Sequence, residues 1–335
     1  MKAAIFDGNE ISIQTVHKPA ITDSQVLIEV KSVGICGTDL AILNKLLHTP
    51  TPIILGHEFA GNVVEIGQDV NPEWLNKRVT SEINTNIDFN CHFCREGKNT
   101  HCVSRKALGI DVDGALVEQI AVESYMLHEI PDSISYDDAT FIEPLAAAYQ
   151  VFEMMPLQEN DKDIVIFGVG KLGLLITQVA VSKGLRVFVV DGSHKKLTLA
   201  KKLGAHYLIN RFKDPKIPKL VKNATLGLGA DIVVDATGNP LAVNDVIASC
   251  KSRGKVHLKS THGQNSSINL TDIVIREITL YSSRCGPFDK AIEGLKSGTI
   301  QVEKLITKTF MVDDIKKAVS PSKDDQDHIK TIVHI

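Results

Sequence analysis

Cys36 and His57 are the residues of this chain best suited to chemistry. They sit in the turns Gly34-Ile35-Cys36-Gly37-Thr38-Asp39 and Gly56-His57-Glu58-Phe59-Ala60-Gly61. A thiolate and an imidazole are zinc ligands, of the catalytic kind where a coordination position stays open. Cys91, Cys94 and Cys102 follow with the spacing of a metal loop. Clustering of this sort in a reducing compartment reads as metal binding rather than disulfide pairing. Farther on, Gly168-Val169-Gly170-Lys171-Leu172-Gly173 directly follows the apolar run Ile164-Val165-Ile166-Phe167. That context suits a dinucleotide fingerprint. Gly168 permits the tight turn, Gly170 lets the backbone approach a pyrophosphate, and Gly173 lets helix and strand pack closely. The helix opened by Lys171 and Leu172 turns its N-terminal N–H groups to the phosphates. Asp191 ends the next strand, where a carboxylate accepts hydrogen bonds from ribose hydroxyls and repels a 2′-phosphate. This favours NAD over NADP. Asp191 can also be read as a cap for the helix starting near Ser193, and Lys195 and Lys196 are cations that could meet a 2′-phosphate.

The elements that must position these residues fall into two patterns. The first part of the chain is β-rich, with strands at Gln25 to Val33 and Glu58 to Ile66 between glycine and proline breaks. A helix spans about Asp137 to Met155. Strands and helices then alternate: Ile164 to Phe167, helix Leu172 to Lys183, strand Arg186 to Val190, helix Lys195 to Leu203, and strands at Asp231 to Ala236, Lys255 to Leu258 and Ile278 to Ser282. Such alternation predicts a parallel, doubly wound sheet. The tail from Ile300 carries a helix and a last strand, Ile329 to Val333, and packs back on the first domain. Asp324-Asp325-Gln326-Asp327 reads as an exposed loop.

With 335 residues and 43% hydrophobic content, the chain is long enough for two domains with cores of their own. A net charge of -3 gives no field for nucleic acid. The N-terminal apolar run is too short for a signal peptide, and no stretch approaches a membrane span. A soluble, cytoplasmic protein is expected, with no nucleic-acid or membrane partner.

Taken together, Gly34 to Asp39, Gly56-His57-Glu58, Glu143-Pro144-Leu145-Ala146, the glycine fingerprint and Asp235-Ala236-Thr237-Gly238 resemble the zinc-containing medium-chain dehydrogenase/reductases. This is the alcohol and polyol dehydrogenase family, and the resemblance covers essentially the whole length. It implies an α/β protein: a GroES-like β-rich catalytic domain over 1–147, completed by 289–335, and a Rossmann NAD-binding domain over 148–288. It implies that Cys36, His57 and Glu143 hold a catalytic zinc. Glu58 lies behind the metal or swaps onto it, Thr38 accepts the substrate proton, and Asp39 orients His57. Thr237 joins the fingerprint residues in holding the cofactor. Where some relatives have a relay histidine this chain has Ala41, so the proton leaves by another route, and nothing in the sequence ties His48 to it. The family's structural zinc loop has four cysteines; here Asp88 stands at the first position. Aspartate binds zinc through oxygen and preserves the ligand charge, so Asp88, Cys91, Cys94 and Cys102 are expected to form a second zinc site. The other readings are a solvated Asp88, or substitution by His92 or His101.

The expected activity is hydride transfer between an alcohol or carbonyl substrate and NAD(H), in a homodimer or homotetramer. The alternatives are a zinc-free quinone or enone reductase, and a non-catalytic nucleotide-binding protein. Arg284 either pairs with a carboxylate or phosphate on the substrate or, more plainly, makes a structural ion pair or subunit contact.

Overall fold

The computed structural model describes residues 1–261, 263–320 and 325–335. They form two compact units. One holds Met1–Glu143, the segment that begins at Val302, and Lys330–Ile335. The other holds Pro144–Gln301 and a short later segment ending at Ile329. The sequence puts the borders at 147 and 289; the structure puts them at 143 and 302. The second shift has a packing cause. The helix Phe288–Lys296 brings Gly294 so close to Tyr149 that a Cβ there would lie 2.5 Å from the phenol oxygen. Just beyond it, the Gln301 N–H donates to Gln178 Oε1 at 2.8 Å, and Gln178 Nε2 returns a bond to the Gln301 carbonyl at 3.0 Å.

The first unit is built on the strand Gln25–Gly34. Antiparallel partners are Glu58–Ile66, Gln119–Glu123 and Lys330–His334. Val26, Ile28 and Val30 share one face and enter a core with Phe59, Val63 and Val122, as the two-residue period of a strand requires. The last strand pairs Ile332 with Gly34 and Val333 with Val33, so the tail enters the sheet that carries the Cys36 turn.

In the second unit six parallel strands lie in the order Tyr207–Asn210, Arg186–Asp191, Asp163–Phe167, Ala230–Asp235, Cys250–Leu258, Thr279–Ser282. All five residues of Asp163–Phe167 and all six of Ala230–Asp235 are buried. Helix-covered parallel sheets produce such continuous burial rather than alternation. Winding reverses between Asp163–Phe167 and Ala230–Asp235, and ligands of such sheets bind beyond the strand ends at that reversal.

The single helix expected over Asp137 to Met155 is two, Tyr136–Ala139 and Ile142–Met154. Pro144 explains the break: it has no N–H for the carbonyl of Thr140 and its ring crowds that carbonyl, so it is tolerated only in a first turn. Glu143 therefore lies in the first turn of the second helix. The strand Tyr207–Asn210 and the helices Ile217–Ala224, Val243–Ser249 and Leu270–Ile275 add to the expected elements. Asp324 lies outside the described residues. Asp325 and Asp327 are half-buried rather than exposed, and only Gln326 of that stretch is fully at the surface. Among the described residues no helix is long and apolar enough to cross a membrane.

His257 is 0% exposed, and neither ring nitrogen has a hydrogen-bond partner. Burial, aided by Lys259, lowers its pKa from the ordinary 6.5 to about 4. The unfolded chain therefore takes up a proton that the folded one refuses, and stability is lost as the pH falls from 6.5 toward 4. At pH 5 the loss is about 2 kcal/mol. His257→Leu is expected to hold its melting temperature between pH 7 and pH 5 better than the parent. Parallel melting curves for the two proteins would refute this.

Candidate active site and cofactor-binding residues

Cys36 precedes a short helix, Gly37–Leu43, and its backbone N–H donates to Asp39 Oδ2 at 2.7 Å. Asp39 Oδ1 accepts the Gly56 N–H at 3.3 Å. One fully buried carboxylate thus joins the two turns of the motif. Its pKa is raised, by burial above all. His57 Nδ1 lies 3.6 Å from Asp39 Oδ1, beyond hydrogen-bond reach, and has no partner. Thr38 Oγ1 is 3.7 Å from Cys36 Sγ.

Ligand atoms of Cys36, His57 and Glu58 lie within 4.8 Å of one another. The carboxylate in this group is Glu58, not the expected Glu143, which acts on His57 through its charge. Burial pulls the His57 pKa down, but Asp39, Cys36 and Glu143 together push it up to about 9. An imidazole with an orphaned nitrogen, buried among a thiol and carboxylates, is a donor set that asks for a cation. The residues fit a zinc ion.

One participant was not anticipated. Lys330, on the last strand, is 0% exposed and its ammonium contacts Glu58 Oε2. It also lies 5.3 Å from the Phe141 ring centroid. Gly34 makes room for it, since a Cβ there would overlap the lysine Nζ and Cε. Burial lowers the Lys330 pKa from the ordinary 10.5 to about 7, while Cys36 and Asp39 oppose that. The signal available in sequence was a lysine opening the last strand, next to Ile329 and two residues before Ile332-Val333.

The second cluster joins Asp88, Cys91, Cys94 and Cys102, again within 4.8 Å. Asp88 Oδ1 accepts the N–H groups of Asn90 and Cys91, both at 2.8 Å, and these hold its pKa well below the usual carboxylate range. The Asp88 N–H points at Cys102 Sγ, 3.4 Å away. Cys91 and Cys94 sulfurs are 3.6 Å apart. Desolvation, followed by the neighbouring Cys91, Cys102 and Asp88, pushes the Cys94 thiol up to about 12. Four acidic donors that repel one another fit a metal of thiolate preference. His92 instead pairs with Glu96 at 3.1 Å, and neither His92 nor His101 joins the cluster.

The glycine fingerprint closes on itself. Gly168 has φ +83°, and a Cβ on it would lie 2.8 Å from Thr237 Cα. The loops after the two central strands therefore touch. A Cβ on Gly173 would overlap the Gly168 carbonyl, whereas one on Gly170 would meet nothing within 4 Å. The middle glycine thus borders open space, as close approach of a ligand demands. No side chain caps the helix Lys171–Ser182. Thr237 donates to Asp235 Oδ1 at 2.7 Å. Asp191 does not cap the following helix; Ser193 does, its hydroxyl accepting the Lys196 N–H at 3.1 Å. The Asp191 oxygens accept the N–H groups of Val169 and Ser193, both at 2.9 Å. Each retains a lone pair for a ribose hydroxyl. These residues fit a dinucleotide. Arg284 follows the last parallel strand, and its carbonyl accepts a bond from Lys259 Nζ at 2.8 Å.

Comparison with known proteins agrees with this geometry. Residues 22–132 match the alcohol dehydrogenase GroES-like domain, and residues 172–297 match the zinc-binding dehydrogenase domain. D-arabitol-phosphate dehydrogenase of Enterococcus avium is 33% identical over 90% of this chain and 87% of its own length. A zinc-binding dehydrogenase of Sinorhizobium meliloti, solved with NADP, superposes with a TM-score of 0.91 at 26% identity, covering 100% of this chain and 99% of that one. An alcohol dehydrogenase of E. coli CFT073, solved with NADH, gives 0.91 at 28% identity with coverages of 100% and 99%. The chain belongs to the zinc-binding, medium-chain alcohol dehydrogenase family. Its activity is that of the class, NAD(H)-dependent interconversion of an alcohol or polyol and its carbonyl product.

Proposed function

We propose that Cys36, His57 and Glu143 hold a catalytic zinc and that Glu58, paired with Lys330, stands behind it. The observation that carries this is the buried imidazole of His57, orphaned at Nδ1 among anionic groups. The thiolate and one carboxylate together neutralise a divalent ion, while Lys330 balances Glu58. Zinc bound there supplies Lewis acidity at the substrate oxygen. Thr38, half-buried beside Cys36, takes the hydroxyl proton and passes it outward. Asp39 fixes the two turns and thereby the placement of Cys36 and His57. In the second unit Gly168, Gly170, Lys171, Leu172, Gly173 and Thr237 hold the dinucleotide phosphates, and Asp191 holds the adenosine ribose of NAD. Cys91, Cys94, Cys102 and Cys250 form no disulfide, consistent with a cytoplasmic setting.

The substrate is an alcohol or polyol, or the matching aldehyde or ketone. Arg284 enters as the group that would recognise an anionic one, and the polyol phosphate in the name of the Enterococcus relative gives that reading its support. The decisive experiment is a metal assay followed by a screen, in both directions, of alcohols and of matched neutral and phosphorylated polyols with NAD and NADP. Zinc with alcohol-dependent NADH formation supports the proposal. Metal-free enone reduction, or nucleotide binding without turnover, would replace it. Loss of turnover on neutral and phosphorylated substrates alike in Arg284→Ala would remove Arg284 from substrate recognition.

The second cluster holds a structural zinc with Asp88 as one ligand. Asp88→Ala is expected to lower the zinc content from two ions per chain to one. It should reduce thermal stability more than turnover, because this cluster has no open position for a substrate. A parent protein with a single zinc, lost on substituting Cys36, would show the loop to be empty.

The chain assembles through the edge strand Thr279–Ser282. Leu280 is 41% exposed there, and the adjacent helix exposes Leu270, Val274 and Ile275 at 66%, 74% and 75%. An unpaired apolar edge is a template for a second copy. Sedimentation that shows only monomer would exclude this.

A further inference from the structure

Lys195 is the cation that a reading of sequence would offer to a 2′-phosphate, yet the structure gives it another partner. Asp327, in the late segment that joins the second unit, accepts a bond from Lys195 Nζ at Oδ2, 2.8 Å. At Oδ1 it accepts one from the Ser193 hydroxyl, 2.7 Å. Ser193 is the residue whose backbone N–H binds Asp191 Oδ1 at 2.9 Å. A chain of contacts therefore runs from the ribose-binding carboxylate through Ser193 to a second carboxylate. The other cations here are Lys196 and Arg211. Lys196 acts on Asp327 only through its field. Arg211, whose N–H binds the Asp191 carbonyl at 3.1 Å, lays its guanidinium over Phe212, 4.7 Å from the ring centroid. Asp325 adds further negative field at Lys195.

We propose that Asp327 is a further determinant of cofactor choice: it withdraws Lys195 from the ribose 2′ position. This rests on the nucleotide reading given above. A 2′-hydroxyl is indifferent to the pairing, because it needs only an acceptor, which Asp191 supplies. A 2′-phosphate is not. It carries up to two negative charges and requires an unpaired cation. Asp327 thus discriminates against NADP without touching NAD, and it does so from a part of the chain that carries no nucleotide motif.

The test measures NADH and NADPH dissociation constants by nucleotide fluorescence. The proteins are the full chain and its Asp327→Asn, Asp327→Ala, Lys195→Ala and Asp327→Ala/Lys195→Ala variants. The parent is expected to bind NADH more tightly. Both Asp327 variants should bind NADPH about tenfold more tightly, with NADH affinity little changed, as befits one unscreened charge near a phosphate. Adding Lys195→Ala should abolish that gain. An unchanged NADPH affinity, an equal loss for both nucleotides, or a gain that persists without Lys195 each overturns the proposal. A parent that binds neither nucleotide, or that prefers NADPH, overturns the cofactor reading itself and the proposal with it. That failure appears before any substitution is made and so is told apart from the others.

Discussion

Cys36→Ser is expected to abolish alcohol oxidation while leaving NADH binding intact. The two effects separate because the residues that carry them lie in different units: Cys36 in the first, the glycine fingerprint and Asp191 in the second. Serine is close in size, so the turn and the Cys36 N–H bond to Asp39 should survive. What is lost is a thiolate, one of the two negative charges that match a divalent ion, and the preferred soft donor. Lewis-acid stabilisation of a reacting oxygen amounts to several kcal/mol. At 1.36 kcal/mol per decade, turnover should fall on the order of a thousandfold or more. Metal analysis, nucleotide titration and turnover on the same preparation form the test. Full activity in a Cys36→Ser protein shown to be free of metal would rule out the zinc mechanism. Loss of NADH affinity in parallel with turnover would instead mean that the substitution damages the fold.

What could be read from the sequence and what could not follows from the range of the interactions. Cys36 and His57 were legible because each sits in a glycine-flanked turn. The bonds that hold them, Cys36 to Asp39 and Gly56 to Asp39, span three and seventeen residues. The dinucleotide loop was legible for the same reason: strand, glycines and helix are contiguous, so backbone rules apply directly. Five of the six strands of the second unit were legible in the alternation of strands and helices; Tyr207–Asn210 was not. The short helices at Val243 and Leu270 were not either, since they have too few turns to show a helical period.

Lys330 and Asp327 are the contrary cases. Lys330 meets Glu58 across 272 residues and Asp327 meets Ser193 across 134. No local pattern encodes which distant side chain will be opposite. The tail was expected to pack back on the first domain, and Lys330–His334 does pair there. The segment that holds Asp327 instead groups with the second unit. Acidic composition made it resemble a solvated loop, and its role became visible only with Lys195 and Ser193 placed around it. The division of labour at the first cluster was equally hidden. Sequence names four candidate ligands, Cys36, His57, Glu58 and Glu143; the structure groups the first three and sets a buried lysine against Glu58.

Lys330→Met is accordingly expected to be among the most damaging single changes in the first unit. Methionine fits the space of the lysine stem and keeps the strand pairing, so the substitution isolates the charge. It leaves Glu58, 1% exposed, without the ammonium that contacts it. Removing one partner of a buried ion pair costs about 3–5 kcal/mol, because the other charge stays desolvated. For a unit of this size that corresponds to a fall in melting temperature of roughly ten degrees. The double variant Lys330→Met/Glu58→Gln should recover much of the loss, since it removes both charges and leaves a neutral amide. Zinc affinity supplies a second readout: an unpaired Glu58 carboxylate is available to the metal, so Lys330→Met should alter chelator competition whereas the double variant should not. A melting temperature within two degrees of the parent for Lys330→Met would mean that Glu58 is already neutral in the folded protein, and the assignment of Lys330 as its counter-charge would have to be abandoned.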